Sequence, residues 1–485
     1  MIDARDGPRA AAPAFTRSDR RRALKVSVAE GLVAQLHASL TGLGMGGNAF
    51  TYAYALLLGA SNTALGFVAA LPQLGTASQL LSAYALQRLP RRKGLVIAGA
   101  TAGRLLFLAI PVLPFVLARG PALALFLVLW GLGNVLASVA GNAWTSWMSD
   151  VIPRSMRGRY MSWRNTLAGL GGMVVFLTAG ILLDARAGAP PGASPEADAR
   201  RLAGFGIVFA TACAAALLSA FMLAVQPEPP RRAPAGDGAP GTPLAPLALI
   251  RLPFADPAFR RLLLFFAVFS AVNGIGNPFW TPYTVEDLGG DYSFLTTLNV
   301  VGGLAGLLAL RLWGRAIDRF GSRPIIAVAV LFTALHPLYY FASARGFLAP
   351  LFIDAVSSGV FWGGFNLAVF SLLLGLAPER GREMYYAVFA ATAGLAMAAS
   401  SVVAGAVAEA VEPVAAFGRT FNGREVLFAS VCALRLACLP LVLRLAEPRA
   451  RDVRFVVQSV FQLFRGRLTP GGPLAASGRG GRPSR

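Results

Sequence analysis

PRSMRGRYMSWRNTLAGLGGMVVFLTAGILLD, residues 153–184, and PERGREMYYAVFAATAGLAMAASSVVAGAVAE, residues 378–409, are two copies of one pattern. Pro153, Arg157, Tyr160, Ala168, Gly169, Leu170, Ala179, Gly180 and Asp184 fall on Pro378, Arg382, Tyr385, Ala393, Gly394, Leu395, Ala404, Gly405 and Glu409, at a constant offset of 225 residues without a gap. Small apolar residues coincide by chance in a chain this rich in Ala, Leu and Gly. A proline, an arginine, a tyrosine and a terminal acid in one register do not. A second match joins Gly47-Asn48-x-Phe50-x-x-x-Tyr54 to Gly276-Asn277-x-Phe279-x-x-x-Tyr283, 229 residues later. The chain therefore reads as a duplication of one ancestral unit.

Each unit is too apolar for water. Of 485 residues, 55% are hydrophobic and 14% charged, where a soluble domain carries roughly 25% charged; mean hydropathy is +0.59. Apolar stretches alternate with short Arg-rich connectors. A run of about 20 apolar residues crosses the hydrocarbon core as a helix, because a helix satisfies its own backbone there. Such runs predict spans at 31–57, 64–86, 94–117, 121–147, 164–184, 203–226, 262–286, 293–314, 324–343, 347–374, 385–409 and 426–445. They divide six and six around the Pro/Gly-rich segment 227–258, which reads as a flexible linker ending in a short surface helix over about 243–256. The expected order is a basic tail over 1–25, a six-helix bundle over 26–226, the linker, a second bundle over 259–445, and a tail over 446–485. The fold class is an all-α membrane protein of twelve transmembrane helices in two pseudo-symmetric bundles.

A net charge of +21 could indicate nucleic acid, but position decides against it. With the N-terminus inside, the tails and even-to-odd loops hold 35 of the 44 Lys and Arg, the odd-to-even loops 7, and spans 2. That asymmetry is the positive-inside rule. It predicts a multi-pass protein of a bacterial inner membrane with both termini cytoplasmic, in contact with anionic lipid and with no nucleic-acid partner. Arg20, Arg21, Arg22 and Lys25 precede a span too long for a signal peptide and without a clear cleavage site, so the first helix reads as retained. Cys213, Cys432 and Cys438 fall inside spans without metal-ligand or pairing pattern and read as packing residues. In the tail, Phe455, Val456, Val457, Val460, Phe461, Leu463 and Phe464 with flanking arginines suit a helix lying on the cytosolic leaflet.

The connector after predicted span 8 reads Gly314-Arg315-Ala316-Ile317-Asp318-Arg319-Phe320-Gly321-Ser322-Arg323-Pro324. This resembles the loop signature of the major facilitator superfamily: a Gly, then Asp-Arg-x-Gly, then a basic pair of which Arg323 is present. The resemblance covers about 26–445. It implies two parallel six-helix repeats with a substrate site between them, and a cytosolic latch built by Gly314, Asp318, Arg319, Gly321 and Arg323. By analogy, Asp318 would sit near a neighbouring helix start around Arg382 and Tyr385, with Arg157 and Tyr160 as repeat counterparts; an ordinary basic loop with one acid is the plainer reading. The matching loop after span 2 has Gln87 where the acid would be and Pro90 where the glycine would be, so an asymmetric latch is expected. The helix-4 arginine motif of proton-linked members and the Gly-Pro pair of drug antiporters are both lacking, which argues against a proton-coupled drug exporter.

Ionisable groups inside a membrane are costly and point to function. By the repeat register Glu30 falls opposite Phe259 and is expected at the membrane interface, with ion coupling as the alternative. His37, about two turns deeper, is either titratable near neutral pH or a hydrogen-bonded structural histidine. Arg104 lies near mid-membrane, with a counterpart close to Leu335 and His336, and is expected to pair with backbone or a polar neighbour. Asp354 and Arg435 lie at similar depths and are predicted to form an intramembrane ion pair, which of itself argues for neither transport nor stability. Spans 1, 4, 7 and 10, the cavity walls by resemblance, carry Asn48, Tyr52, Tyr54, Asn134, Asn142, Trp144, Asn273, Asn277, Trp280, Trp362 and Asn366. Amides with flat aromatic faces suit a neutral or zwitterionic organic solute. For Asn48 and Asn277, beside matched glycines, interhelical hydrogen bonding is the competing role.

The expectation is a secondary transporter of a small-molecule organic solute working by alternating access, with a proton or sodium ion as the open choice of coupling partner. It is expected to be monomeric and to need no cofactor or metal. The rival is a non-transporting receptor or assembly factor on the same fold, which should show a sealed hydrophobic centre. Enzymatic function is not expected: no metal cluster, paired carboxylates or nucleophile–base set is legible.

Overall fold

The computed structural model describes residues 15–79, 82, 92–187, 194–230, 246–378, 382–416 and 418–447. Most of the linker, residues 83–91 and the whole of the expected tail helix lie outside those residues. The first span, α1, comes in two pieces, α1a (Arg17–Thr41) and α1b (Ala49–Leu57), followed by α2 (Asn62–Ala77). Ten further helices are long and apolar enough to cross a membrane: α3 (Lys93–Val116), α4 (Arg119–Val151), α5 (Arg157–Ala187), α6 (Pro195–Val225), α7 (Pro257–Asp287), α8 (Tyr292–Phe320), α9 (Ser322–Phe341), α10 (Ala349–Leu376), α11 (to Ala410) and α12 (Gly423–Leu443); α11 begins at Arg382. A short helix, Pro246–Ala255, precedes α7, where the sequence predicts one. Between α11 and α12 a hairpin pairs β1 (Val414–Ala416) with β2 (Arg419–Phe421).

Two departures from the expected spans shape the site. First, α1 starts at Arg17, inside the expected tail, under a capping box between Thr16 and Asp19. Second, α1 is not continuous. Gly42 ends α1a in the left-handed region (φ 74°), and Gly44, Gly46 and Gly47 follow with φ of 77°, 86° and 92°, angles costly for residues with a Cβ. Asn48 then restarts the helix: its Oδ1 accepts from Thr51 N at 3.1 Å, and its Nδ2 donates back to Ser39 O at 2.6 Å. At the repeat-matched place α7 also breaks. Its α-helix ends at Gly276, and after Pro278 the chain resumes as a single turn and a π-helical segment over Tyr283–Asp287.

Packing follows the duplication. In the first half α1 packs on α5 and α6, α4 on α2 and α3, and α3 on α6; in the second α7 packs on α11 and α12, α10 on α8 and α9, and α9 on α12. Each half has its own core, around Phe50, Tyr54, Phe126, Phe205 and Phe209 in one and Phe265, Phe269, Ile326 and Phe365 in the other. The α8–α10 seam is glycine-built: a Cβ on Gly302 would lie 2.8 Å from Ala355 O, and one on Gly306 2.9 Å from Gly359 O. Close backbone approach through small residues is how helices associate without a hydrophobic drive. The halves meet through α2 on α11 and α5 on α8.

Candidate functional site: a cavity between the halves

The two helix breaks face one another. Asn277 Nδ2 reaches Tyr52 Oη at 3.5 Å across the halves, and both side chains line a cavity of about 670 Å³. The first half contributes Asn48, Tyr52 and Met173 to its wall; the second contributes Asn277, Trp280, Asn299, Tyr340, Asp354, Ser358 and Trp362 with the glycine seam of α8 and α10. Trp280 is held by stacking on Phe428 (centroids 4.3 Å, 7°) and lies 4.8 Å from Tyr340.

A smaller recess of about 280 Å³ in the second half shares Asn277, Trp280, Tyr340, Asp354, Ser358 and Trp362 with this cavity and adds Asn273, His336, Met397 and Arg435. Here the expected Asp354–Arg435 ion pair is corrected. Arg435 Nε and Nη2 donate to Asn273 Oδ1 at 3.0 and 2.6 Å, Nη1 donates to Thr333 O at 2.6 Å, and the guanidinium sits 5.7 Å from the Trp362 ring. The titratable side chain within 4 Å of Asp354 is His336, with Nδ1 3.9 Å from Oδ1. Asp354 Oδ1 and His336 Nε2 are buried without a hydrogen-bond partner. The two charges share one recess without touching, because Asn273 occupies the guanidinium.

In the first half the buried charges form a closed network instead. Glu30, expected at the membrane interface, is buried within the protein: Oε2 lies 3.2 Å from Arg164 Nη2, Oε1 accepts from Ser219 Oγ at 2.7 Å, and Arg104 Nη2 is 3.9 Å away. Arg104 donates to Ser219 Oγ at 2.5 Å, the polar-neighbour role expected of it. Arg164 also donates to Ser27 O and lies 4.4 Å from the Trp144 ring. His37 Nδ1 is 3.3 Å from Thr41 Oγ1, and its ring meets Phe107 edge-on.

Other predicted residues scatter. Tyr54 turns into the first-half core and donates to Ile110 O at 2.6 Å. Asn142 donates to Ser82 Oγ at 2.7 Å, and Asn366 is exposed. Asn134 accepts from Gly44 N at 3.3 Å and lines a separate recess of about 390 Å³, with Gly44, Gln73, Thr76, Gln79 and Ser138. At the face where the described chain begins and ends, Gly321 (φ 91°) turns α8 into α9. Asp318 and Arg319 there are exposed, and Asp318 makes no ion pair among the described residues. Arg323 N and Ser322 N donate to Glu447 at 2.6 and 2.8 Å. Arg157 donates to Ser149 O, Tyr160 to Leu24 O, and Tyr385 packs edge-on to Phe259 at 4.6 Å. The Arg382 side chain lies outside the described residues.

Several hydrogen bonds among the described residues join the halves. One is the central Asn277–Tyr52 contact; others, Thr63 N and Oγ1 to Glu409, Tyr292 N and Ser293 N to Asp184, and Arg424 to Asn62, lie at the face opposite the termini. The cavity is therefore closed on that face.

The sequence profile of the Major Facilitator Superfamily matches residues 36–282 and 262–468. The chain belongs to that superfamily. Three solved members show the same fold at low identity. The nucleoside transporter NupG, in a mutant form, is 10% identical over 87% of this chain and 100% of its own, with a TM-score of 0.63. A D-xylose-proton symporter is 17% identical over 89% and 98%, also at 0.63. The inward-open xylose transporter XylE from E. coli is 16% identical over 89% and 97%, at 0.59. No curated protein matches the chain.

Within this superfamily member, sequence reasoning missed Arg164, Asn299, Tyr340 and Ser358, and noted His336 only as a repeat neighbour of Arg104. Arg164 stood at the edge of a predicted span and was counted with its loop. Asn299, Tyr340 and Ser358 carry no charge, and only the helix azimuth turns them to the cavity.

Proposed function

We propose that this major facilitator superfamily protein is a secondary transporter carrying a small polar organic solute of no net charge by alternating access of its two halves. The observation that supports it most is the cavity of about 670 Å³ walled by both halves, polar and aromatic, with the helix breaks at Asn48 and Asn277 on its wall. A receptor or assembly factor on this fold would have a sealed apolar centre. Asp354 and Arg435 both face the recess, so the charge presented to a solute sums to zero when both are ionised. By the positive-inside rule the terminal face is cytosolic, and the closed face then looks to the periplasm. Asp354 and His336, with unpartnered buried polar atoms, are the groups we assign to a coupling proton.

The test is the melting temperature of the purified protein across sugars, nucleosides, amino acids, amines and carboxylates. A ligand at 100 times its Kd adds about 2.7 kcal/mol of stability. A shift confined to one neutral or zwitterionic class, absent in Asn277→Ala, supports the reading. Shifts from simple anions or cations alone would overturn the neutral-solute assignment, and no shift from any water-soluble compound would overturn transport of a polar solute.

A further inference from the structure

The repeat that opened the sequence ends in an acid in both copies, Asp184 and Glu409, and the structure uses both in one way. Each lies four residues beyond a glycine. A Cβ on Gly180 would press on Thr296 and come within 3.0 Å of Tyr292 O; one on Gly405 would lie 2.6 Å from Asn62 O and 2.9 Å from Thr63 Cα. The glycines thus bring α5 against the start of α8, and α11 against the start of α2. One turn further on, the carboxylates take the backbone of those helix starts. Asp184 Oδ1 accepts from Tyr292 N at 3.2 Å and Oδ2 from Ser293 N at 2.6 Å. Glu409 Oε2 accepts from Thr63 N at 3.1 Å and from Thr63 Oγ1 at 2.7 Å. Thr63 and Tyr292 are themselves separated by 229 residues, the offset of the first repeat match.

Each half therefore supplies an acid to the N-terminal turn of a helix in the other. Those first N–H groups have no partner within their own helix, and a carboxylate is favoured there by the helix dipole and by charge-assisted bonding. The dependence is greatest at α8, whose own N-cap residue, Asp291, makes no side-chain cap bond. At α2 the helix has its own cap, since Ser61 accepts from Ala64 N at 3.3 Å.

We infer that Asp184 and Glu409 are the positioning residues of the closed gate: two repeat-related Gly-x-x-x-acid staples that hold the halves together on the face opposite the termini and must release for that face to open. This rests on the alternating-access reading. The staples are unequal. Asp184 is partly buried and Glu409 exposed, and water screens an exposed charge. Arg424 adds a single unmatched link to Asn62 at 2.8 Å.

The experiment reads gate position directly. Ser358→Cys places a reporter in the cavity, in a background with Cys213, Cys432 and Cys438 replaced by serine. A membrane-impermeant maleimide is applied from each side of oriented vesicles. Asp184→Asn is expected to raise labelling from the far face roughly tenfold, as loss of a charge-assisted bond allows, and to lower it from the terminal face. Glu409→Gln is expected to give a rise of about twofold, and the double variant more than either. Oxidised Thr63→Cys with Glu409→Cys, built on Asp184→Asn, should return far-face labelling to its low level. Opposed changes on the two faces are the signature of a gate; a rise on both faces marks a loosened fold and overturns the inference. Unchanged far-face labelling in a double variant that keeps its melting temperature also overturns it. A labelling shift without any ligand response in the melting assay would leave the staples standing and the transport reading fallen; the reverse result would do the opposite.

Discussion

At the scale of single residues, the recess in the second half separates groups that serve the fold from groups that face the cavity. Arg435 is 3% exposed and spends its donors on Asn273 and Thr333. Arg435→Met leaves those buried acceptors without their donors, so it should destabilise the protein by about 1–3 kcal/mol, read as a lower denaturation midpoint. Asp354 behaves oppositely. Its Oδ1 has no partner, and removing an unpaired buried charge relieves a desolvation penalty. Asp354→Asn should therefore hold or raise the melting temperature while abolishing any proton-driven uptake in proteoliposomes; a large loss of stability would mean the carboxylate is structural. The contrast also explains why the expected ion pair failed. Counting residues along a helix fixes the height of a side chain, and Asp354 and Arg435 do sit in one recess. It does not fix azimuth or competing partners, and Asn273, a turn below the break in α7, reaches the guanidinium first.

At the scale of elements, the twelve spans and their six-and-six division were legible because hydropathy and the positive-inside count integrate over many residues, and local errors cancel. The break in α1 was not, although its signal was in plain view. Gly42, Gly44, Gly46 and Gly47 stand four in six residues, but glycine carries no charge and a hydropathy window runs straight through them. Their positive φ values show the backbone using a freedom that only the structure reveals. The break has a measurable cost. Asn48 caps α1b through Thr51 N and ties it to α1a through Ser39 O, so Asn48→Ala should destabilise by about 1 kcal/mol, the usual worth of a cap. Gly47→Ala, at φ 92°, should cost about as much by backbone strain alone. Thermal melts of both, with Gly94→Ala as a control whose Cβ meets nothing within 4 Å, separate strain from the general effect of losing a glycine; equal melts for all three would refute a strained loop. The candidate cavity was legible only in part for a related reason. Asn48, Tyr52, Asn277, Trp280 and Trp362 line it, while Asn142 and Asn366, chosen by the same residue-type rule, are not among its lining residues.

At the scale of the whole molecule, duplication does more than set the topology: it places an acid of each half on a helix start of the other, so closure becomes a property of the pair. The same junction holds a third carboxylate that works against it. Asp291 lies in the turn before α8, outside the spanning helices, and its carboxyl is raised above the ordinary carboxylate range by burial first, then by the Asp184 charge, with Arg201 opposing. The sign of the pH dependence follows. A carboxyl with a folded value above its unfolded one binds its proton more tightly in the folded protein, so stability falls as pH rises from the ordinary range through the raised value. Above that window the penalty is fully present, and below the ordinary range it vanishes. Asp291 reaches solvent, so the effect is small, but its direction is fixed. Asp291→Asn should raise the melting temperature at neutral pH, leave it unchanged at acid pH, and flatten the pH profile between, because Asp184 then caps Tyr292 and Ser293 without a like charge beside it. The same variant should lower far-face labelling of Ser358→Cys, opposite in sign to Asp184→Asn. A melting curve indifferent to Asp291→Asn across that pH range would show that the three charges at the start of α8 are uncoupled, and that closure is set by the glycine contacts rather than by the acids.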